Sequence, residues 1–586
     1  APKRADTMSE SEFGSKRPDT VVRVNQVGYL PAAEKRAIVA VADIEASADS
    51  DGTEADSSEP DPESFAVHAA DDGSVAFEGR LSERITDPDA GEVVRQADFS
   101  GLSTPGEYVV EVDGERSPAF RIGPDVYEDT LVDAARLYTL KRSNTRIDDP
   151  MTGLDVEPGH TQDAAASLFF DDEFHESGEE LDVVGGWYDA GDYGKYVPPA
   201  AVTVGQMLLA YERHPETFEA GQCDLPPGVS EADRAAGLPD LLVEAKFELE
   251  WLARMQRPDG AVYHKVAGED WPSIDTLPVE DTRERFVFGL STYGTAMYAA
   301  AMAMAARVYA DFDAAFAERA LANARDAQSY LESNPEPSFR FDEGQDGGSG
   351  PYRKDGDAGE RFWAAAELLK TTGEERYADY LEAQVPEVFD RPVSPPVWSD
   401  ASALGQWAYR SAGAADPDRA AAIDDAFLAY ADDLSEAVAA DGHRVALETE
   451  DYHWASSKLA VAKADLLLLA NEIDPDERYV EAALDQVHYV LGRTPTGYSY
   501  VTGQGTYPPV NPHDRLVVST GVGIPGMIVS GANRNGDDAT LAAFIEAESP
   551  PPAKAYVDAT ASYSANEWAI DYTAPLFLAL AAASER

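Results

Sequence analysis

Two aspartates that could do chemistry stand three residues apart in the stretch GGWYDAGDYGKYV, residues 185–197. Asp189 and Asp192 are surrounded there by glycines and aromatic residues. Such a pair could cap a helix, bind a calcium ion or act as catalytic carboxylates. The stretch lies in a long segment between helical patterns, and long ordered loops on a helical scaffold usually carry function. On this stretch alone, all three interpretations stay open.

Two further segments, nearer the C-terminal end, hold groups of the same kind. In YSANEWAIDYTAPLFLALA, residues 563–581, Glu567 precedes a helical pattern with an apolar interior. A single Glu at a helix start is most simply a favourable partner of the helix dipole. The aperiodic segment GYSYVTGQGTYPPVNPHDR ends in His513 and Arg515, which could pair with surface carboxylates or hydrogen-bond the hydroxyls of a sugar.

Together, the three segments resemble glycoside hydrolase family 9, the inverting cellulases. The family's base motif, Gly-Gly-Trp-Tyr-Asp-Ala-Gly-Asp, is present letter for letter at residues 185–192. Its substrate-binding motif ends in Pro-His-(His or Asp)-Arg, which matches residues 512–515, and its acid motif Tyr-x-x-Asn-Glu matches residues 563–567. Near the N-terminus, VNQVGYLP and GEYVVEVDGERSPAFRI are similar to the immunoglobulin-like domain that precedes many of these catalytic domains.

The resemblance implies a role for each polar residue. Asp192 is then the general base, Asp189 helps it to hold the attacking water, and Glu567 is the general acid. Inverting hydrolysis needs the acid and the base on opposite faces of the sugar, roughly 6.5 to 9.5 Å apart. Adjacent carboxylates repel each other, so one aspartate should have a raised pKa and a hydrogen bond, and Glu567 needs partial burial to stay protonated. By the same resemblance, His513 and Arg515 bind sugar hydroxyls near the cleaved bond.

A glucan cleft should also display aromatic side chains, because sugar rings present apolar C–H faces that stack on them. Trp398, Trp454 and Tyr263 are the candidates. For each of them, packing in the core is the competing interpretation. Tyr563, from the acid motif, is expected to bind substrate as well.

The rest of the chain must form the scaffold that brings these motifs together. Residues 1–20 are polar and aperiodic, which indicates a flexible tail. Over residues 21–124 apolar and polar residues alternate, as in GEYVVEVDGERSPAF, which predicts a small β-sandwich interrupted by a long acidic loop at residues 43–64. Over residues 125–586 the period is that of amphipathic helices.

Helical stripes recur along the whole of this second region. In LPDLLVEAKFELEWLARM the apolar residues fall on one face, and Pro239 suits a first helical turn. Comparable stripes cover residues 128–142, 199–213, 292–310, 313–332, 358–371, 417–439, 455–471 and 477–491. The expected fold is therefore mainly α. The family resemblance makes it an (α/α)6 barrel preceded by a small immunoglobulin-like β-sandwich, with loops that form an open cleft over one end of the barrel.

The charge balance limits the partners. The 108 Asp and Glu against 46 Lys and Arg give a formal net charge of −62, which argues against nucleic acid and anionic membranes as partners. Molar salt would screen the repulsion within a chain of this charge, so we expect a protein from a halophile; an unusually acidic mesophilic protein is the alternative. No apolar run approaches the roughly 20 residues of a membrane span.

The sequence also limits metals and cofactors. The single cysteine, Cys223, excludes an intramolecular disulfide and a cysteine-rich zinc site. The zinc that related enzymes hold partly through cysteines is therefore not expected, and catalysis needs no cofactor. A structural calcium ion in the acidic loop FFDDEFHESGEELD, residues 169–182, is a further hypothesis.

The expected function is inverting hydrolysis of internal β-1,4-glucosidic bonds in cellulose or soluble β-glucans. One alternative is an exo-acting family member that releases cellobiose, glucose or glucosamine from chain ends. An inert polysaccharide-binding protein on the same scaffold is an alternative of another class. Because a polymer cannot cross a membrane, we expect the enzyme to work outside the cell. Its charge makes a high-salt environment the expected setting. We also expect it to be a monomer.

Overall fold

A computed structural model describes residues 10, 11, 13–44, 62–340 and 350–586. The first part of the predicted flexible tail and most of the predicted acidic loop at residues 43–64 lie outside the described residues. Residues 13–20, which belong to the predicted tail, contact the C-terminal part of the chain: the Ser15 N–H donates to the carbonyl oxygen of Asp558 at 3.1 Å.

Two β-sheets form the N-terminal sandwich. One sheet contains, in spatial order, Gly28–Tyr29, Phe120–Ile122, Gly106–Val112, Ser64–Ala69 and Val75–Arg80, with Glu115–Arg116 paired to Gly106–Val112. The other contains Val22–Arg23, Arg36–Asp43, Glu92–Asp98 and Ile85–Asp87. Neighbouring strands are antiparallel except for Gly28–Tyr29 and Phe120–Ile122, which are parallel.

The alternation of apolar and polar residues in the sequence predicts which side chains form the core of the sandwich. In the strand Gly106–Val112 the side chains of Tyr108, Val110 and Val112 are buried, whereas Glu107 is exposed. Burying a side chain of this size contributes roughly 1.5 to 3 kcal/mol to folding. The period-two pattern therefore predicted both the strand and its inward face.

The barrel is built from helices that alternate, in chain order, between an outer and an inner ring. The outer helices are Glu128–Leu140, Asp240–Arg254, Ala314–Ser333, Glu375–Gln384, Pro417–Ala440 and Glu477–Val490. The inner helices are Val197–Arg213, Thr292–Val308, Ala358–Thr372, Ser402–Arg410, Ser456–Ile473 and Leu576–Ser584. Shorter helices lie in the loops at Glu231–Ala235, Arg515–Thr520, Ala539–Glu548, Tyr563–Asn566 and Ile570–Thr573. This is an (α/α)6 barrel, as expected.

Side-chain burial distinguishes the two rings. The inner helix Thr292–Val308 is buried at every residue except Arg307, and its many alanines allow its neighbours to pack closely from all sides. The outer helix Ala314–Ser333 buries one stripe, which includes Phe316, Ala320, Ala324 and Leu331. Within the described part of the chain, no helix combines the length and the apolar character that a membrane crossing requires.

A small sheet within the helical region was not predicted. Its strands are Ala166–Leu168, Glu180–Leu181, Lys195–Tyr196, Tyr263–Ala267, Phe286–Ser291 and Phe339–Arg340. All five residues of Tyr263–Ala267 are buried, so this strand has no face exposed to solvent and lacks the apolar–polar alternation that would reveal it in a sequence. The strand Lys195–Tyr196 begins three residues after Asp192, the last residue of the base motif, and ties this part of the chain to the strand Tyr263–Ala267.

The sandwich and the barrel meet through buried charges. Glu92 of the sandwich accepts hydrogen bonds from Arg23 at 2.9 Å and from Lys554 of the barrel region at 2.6 Å. His443, also from the barrel region, contacts Asp87 Oδ2 through Nδ1 at 2.6 Å and faces Arg23 Nη1 through Nε2 at 3.1 Å. Because a guanidinium can only donate, Nε2 is the acceptor and the imidazole proton lies on Nδ1, toward Asp87. Burial, above all, lowers the pKa of His443, which keeps the ring neutral.

Candidate active site

The three motif segments meet in one place. Glu567 Oε1 accepts a hydrogen bond from the N–H of Gly191, in the middle of the base motif, at 3.2 Å. The carbonyl oxygen of Gly191 accepts from the peptide N–H of Arg515 at 3.1 Å and from its Nη1 at 2.8 Å. The N–H of His513 donates to the carbonyl oxygen of Asn566 at 2.8 Å. The acid motif, the base motif and the substrate-binding motif are therefore joined by direct hydrogen bonds.

Gly191 is the residue that this close approach requires. A Cβ at this position would stand 2.2 Å from the carbonyl oxygen of His513 and 2.9 Å from Glu567 Oε1. Neither gap accommodates a carbon atom. The glycine of the Asp-Ala-Gly-Asp sequence thus lets the loop that bears His513 and the side chain of Glu567 lie against the base motif.

Asp189 is almost completely enclosed. It is 1% exposed, and its Oδ2 accepts a hydrogen bond from the hydroxyl of Tyr352 at 2.6 Å. Within the described part of the chain its Oδ1 has no hydrogen-bond partner. Burial, and then the charge of Asp192, raise the pKa of Asp189 well above its usual range, and the Tyr352 hydrogen bond only partly offsets them. Asp189 therefore has the properties expected for the aspartate of the pair with the raised pKa.

Asp192 lies nearer to solvent and is held from one side. It is 8% exposed, and its Oδ2 accepts hydrogen bonds from the Tyr196 hydroxyl at 3.0 Å and from the Gly194 N–H at 3.1 Å. Because both donors bind the same oxygen, they fix the orientation of the carboxylate. A group that accepts two hydrogen bonds and keeps partial access to solvent is suited to bind and deprotonate a water molecule.

Glu567 is partly buried and carries the properties of an acid. Burial, and then the nearby charge of Asp192, raise its pKa to about 8, while the Gly191 hydrogen bond acts in the opposite direction. At neutral pH the carboxyl group is therefore protonated. Because Oε1 accepts the Gly191 hydrogen bond, the acidic proton lies on Oε2. The base motif thus fixes which oxygen of Glu567 can donate a proton.

His513 and Arg515 hold the loops at the site. His513 Nδ1 contacts the carbonyl oxygen of Thr560 at 2.7 Å, so Nδ1 carries the proton, and burial lowers the pKa of the ring. Besides its bonds to Gly191, Arg515 donates through Nε to the carbonyl oxygen of Pro272 at 3.0 Å. Arg515 thus ties two loops to the base motif, a role that the resemblance to sugar-binding residues did not suggest.

Aromatic residues from the sequence predictions lie next to this site. Trp454 and Tyr563 are exposed at 36% and 38%, and their ring centroids are 5.4 Å apart. The Tyr563 ring also packs against His513, with centroids 5.8 Å apart. Trp398 is half-buried and packs edge-on against Tyr352, the residue that hydrogen-bonds Asp189.

Tyr263 does not present a ring face to solvent. It is 3% exposed, and its hydroxyl donates to Asp172 Oδ2 at 2.7 Å, within the acidic loop for which calcium was a hypothesis. Asp172 is also paired with Arg257 at 3.3 Å and accepts hydrogen bonds from two peptide N–H groups of its own loop. Among the described residues, no group of three or more His, Cys, Asp or Glu side chains is arranged to hold a metal ion.

Comparisons with known proteins identify the family of this chain. The family description "Glycosyl hydrolase family 9" matches residues 127–580, and "Cellulase N-terminal ig-like domain" matches residues 17–117. Endoglucanase D of Acetivibrio thermocellus is 32% identical over 96% of this chain and 83% of that protein, and a cellulose 1,4-beta-cellobiosidase of the same organism is 30% identical over 96% and 67%. The crystal structure of the GH family 9 endoglucanase J30 is 48% identical, covers 95% of this chain and 99% of its own, and has a TM-score of 0.90. The chain therefore belongs to glycoside hydrolase family 9.

Two tyrosines of the site were missed by sequence reasoning. Tyr196 hydrogen-bonds Asp192 from a position four residues away, and the run of aromatics around the base motif was a usable signal for it. Tyr352 hydrogen-bonds Asp189 across 163 residues of sequence. Nothing in the Gly-rich sequence around Tyr352 indicates that partner, because the contact depends on how the barrel closes.

Proposed function

We propose that this chain is an endo-acting β-1,4-glucanase that hydrolyses cellulose or soluble β-glucans with inversion of the anomeric centre. The observation that carries the proposal is the hydrogen bond from the Gly191 N–H to Glu567 Oε1, because it joins a protonated carboxyl group to the loop of the two aspartates. Family membership and the similarity to proteins named endoglucanase support the same activity.

In the proposed reaction, Glu567 Oε2 donates its proton to the glycosidic oxygen as the bond between that oxygen and the anomeric carbon breaks. Asp192 accepts a proton from a water molecule, whose oxygen attacks the anomeric carbon from the opposite face. Asp189 shares the binding of that water, since its Oδ1 is buried and makes no hydrogen bond within the described residues. The products are an α-configured reducing end and a free hydroxyl on the leaving chain.

The exposed aromatic pair Trp454 and Tyr563 supports the binding of a sugar beside the acid. Tyr563 also packs against His513, so a sugar stacked on this pair would lie beside the motif residues of the site. We expect Trp454→Ala to raise KM a few-fold with little change in kcat, because a stacked aromatic contact is worth about 1 kcal/mol. A Trp454→Phe variant, which keeps a ring, should remain close to wild type.

A time course on carboxymethyl-cellulose tests endo action. Internal cleavage lowers viscosity well before reducing ends accumulate, and the first soluble products are oligosaccharides of mixed length. Proton NMR of the fresh products should show the α anomer first. A β anomer as the first product would contradict the inverting assignment.

The exo-acting alternative is favoured by one specific observation. A relative with 30% identity carries the name cellulose 1,4-beta-cellobiosidase. Release of cellobiose, glucose or glucosamine as the sole early product, with viscosity almost unchanged, would favour this alternative. Binding of the glucan without any turnover would favour the other alternative, an inert polysaccharide-binding protein.

We also propose where the enzyme works and in what oligomeric state. A net charge of −62 supports a secreted monomer that works in a salty medium, where ions screen its self-repulsion. The melting temperature should then rise between dilute buffer and molar salt, and a salt-independent value would count against it. A melting temperature that is unchanged by EDTA would exclude a structural calcium ion.

A further inference from the structure

Residues 13–17, which we call the N-terminal brace, lie against the segment that leads into the acid motif. The Ser15 peptide N–H donates to the carbonyl oxygen of Asp558 at 3.1 Å, and Ser15 Oγ donates to Asp558 Oδ2 at 2.6 Å. Two residues later, Arg17 Nη2 donates to the carbonyl oxygen of Lys554 at 2.7 Å. The brace is therefore attached to this segment by both backbone and side-chain hydrogen bonds.

The packing of the brace is close enough to require a glycine. Gly14 has a φ of +116°, and a Cβ there would stand 2.4 Å from the carbonyl oxygen of Asp558. The ring of Phe13 packs edge-on against Phe544, with centroids 5.8 Å apart. The brace thus fits a defined surface of the barrel domain.

Asp558 connects the brace to the two loops that carry the site. It is 1% exposed, and its Oδ1 accepts hydrogen bonds from the Asn511 N–H and from Asn566 Nδ2, both at 2.9 Å. Asn566 immediately precedes Glu567, and Asn511 lies two residues before His513. One carboxylate therefore bonds both site loops through Oδ1 and Ser15 through Oδ2, and Oδ2 also accepts hydrogen bonds from the Val510 N–H at 3.1 Å and from Asn511 Nδ2 at 3.4 Å.

The two loops are further fixed to each other at this point. Asn566 Nδ2 also donates to the carbonyl oxygen of Asn511 at 2.6 Å, and the carbonyl oxygen of Asn566 accepts from the His513 N–H at 2.8 Å. A rotation of the Asp558 carboxylate would therefore disturb both the residue that precedes Glu567 and the loop that bears His513.

We propose that the N-terminal brace positions the acid, and that Ser15 is a positioning residue for Glu567 that acts through Asp558 and Asn566. The inference rests on the proposed role of Glu567 as the proton donor. The Ser15 hydroxyl makes the shortest hydrogen bond to Oδ2 of Asp558 and, together with the Val510 N–H, keeps Oδ1 directed at Asn511 and Asn566. Catalytic rates depend steeply on such placement, since a displacement of about 1 Å can cost about a hundred-fold.

The test compares three variants of the full chain, Ser15→Ala, Ser15→Thr and Lys16→Ala. Ser15→Ala removes a hydrogen bond to a carboxylate, so we expect kcat to fall about ten-fold with KM almost unchanged. The high-pH limb of kcat/KM should also move downward, because a less enclosed Glu567 loses its proton at lower pH. Ser15→Thr keeps the hydroxyl and should restore both values. The side chain of Lys16 is exposed, so Lys16→Ala should match wild type.

Hydrogen exchange of the folded variants supplies a second readout. Ser15→Ala should increase amide exchange at residues 558–567, and Lys16→Ala should not. If Ser15→Ala lowers only the melting temperature and leaves kcat and the pH limb unchanged, the proposal is overturned. If Ser15→Ala does not fold, Ser15→Thr and Ser15→Gly take its place in the test. A wild-type kcat in Ser15→Thr with a roughly ten-fold lower kcat in Ser15→Gly would support the proposal. Equal kcat in the two variants would contradict it.

A parallel Glu567→Gln variant separates this inference from the proposed function. If Glu567→Gln keeps its turnover, the assignment of the acid fails. If Glu567→Gln is inactive while Ser15→Ala behaves as wild type, only the positioning role of the brace fails.

Discussion

Buried carboxyl groups have opposite environments in the cleft and at the contact between sandwich and barrel. In the cleft, burial and then the charge of Asp192 raise the pKa of Asp189 well above its usual range and that of Glu567 to about 8. At the contact, burial alone would raise the pKa of Glu92, but hydrogen bonds and charge from Arg23, together with the Lys554 hydrogen bond, lower it to about 2.

The difference lies in the partners that each region supplies. Glu92 has a guanidinium and an ammonium group within hydrogen-bond distance. Asp189 instead accepts a hydrogen bond from a hydroxyl, and Glu567 accepts one from a peptide N–H. The charge of Asp192 raises the pKa of both groups. Where a carboxylate joins two domains, the protein bonds it to cations; where a carboxyl group must hold or donate a proton, the donors that bond it within the described residues are neutral.

The largest expected effect comes from removing the acid. Glu567→Gln keeps the shape and the acceptor for the Gly191 N–H but cannot donate a proton, so kcat on a cellulosic polymer should fall about a thousand-fold. Initial rates on carboxymethyl-cellulose measure it. Glu585, near the C-terminus and away from the site, offers the control Glu585→Gln, which should keep wild-type activity. Wild-type turnover in Glu567→Gln would show that the carboxyl group in the cleft is not needed as a proton donor, and the proposed difference between the cleft and the sandwich–barrel contact would fail.

The next largest effect is on stability, at the other region. Arg23→Ala leaves Glu92 buried with one cation fewer, so we expect a loss of about 3 kcal/mol in the free energy of unfolding, with the specific activity of the folded enzyme unchanged. Urea unfolding measures it. Arg121→Ala breaks an exposed pair with Asp125 and should cost less than about 0.5 kcal/mol.

Glu92 also gives this effect a pH dependence. Its pKa in the folded state, about 2, lies below its ordinary value of 4.5, so its contribution is present above that ordinary value and is lost as the pH falls toward 2. The stability difference between wild type and Arg23→Ala should therefore shrink in acid. A constant difference down to low pH would contradict the pairing.

A smaller effect of opposite sign should follow from Glu567→Gln in the cleft. Because the folded pKa of Glu567 is raised from 4.5 to about 8, the native state retains a proton that the unfolded chain releases, and wild-type stability falls as the pH rises through this window. Gln carries no such proton, so Glu567→Gln should equal wild type in acid, be more stable by about 2 kcal/mol near pH 6, and gain further as the pH rises toward 8. Urea unfolding over the same pH range checks it. An equally pH-dependent variant would show that another group is responsible.

The smallest effect concerns the hydrogen bond to the water-binding aspartate. Tyr352→Phe removes the hydroxyl that donates to Asp189 Oδ2 but keeps the ring that packs against Trp398, so kcat should fall about ten-fold. Steady-state kinetics on cello-oligosaccharides measures it. Tyr293→Phe, which removes a hydroxyl that donates to the backbone carbonyl of Tyr352 and does not bond Asp189, should have a weaker effect. Equal losses in both variants would indicate a general packing defect.

Local patterns in the sequence were sufficient for the main strands and the long helices, while the barrel and the motif residues were predicted from the family resemblance. The inner strand face at Tyr108 and Val110 and the helical stripe of Ala314–Ser333 follow directly from their periods. Glu567 and Asp192 were found because each lies in a short motif. The helices Glu375–Gln384 and Ser402–Arg410 were missed because they are too short for a clear stripe.

What the sequence could not provide are the contacts made when distant segments meet. Tyr263 has the residue type of a sugar-stacking group, but it lies in a strand buried on both faces and bonds Asp172. Ser15 lies in a polar, aperiodic segment, and its partner Asp558 is 543 residues away. Neither position has a local signal, because burial and pairing at this range are properties of the closed barrel.

The protonation state of Glu567 tests the central claim most directly. Infrared difference spectra between wild type and Glu567→Gln isolate the carboxyl band of this one side chain. We predict a protonated C=O band through neutral pH that converts to a carboxylate band near pH 8. A carboxylate band that grows in with its midpoint near the ordinary Glu value of 4.5 would show that the cleft leaves its acid ionised at neutral pH, and would contradict the account.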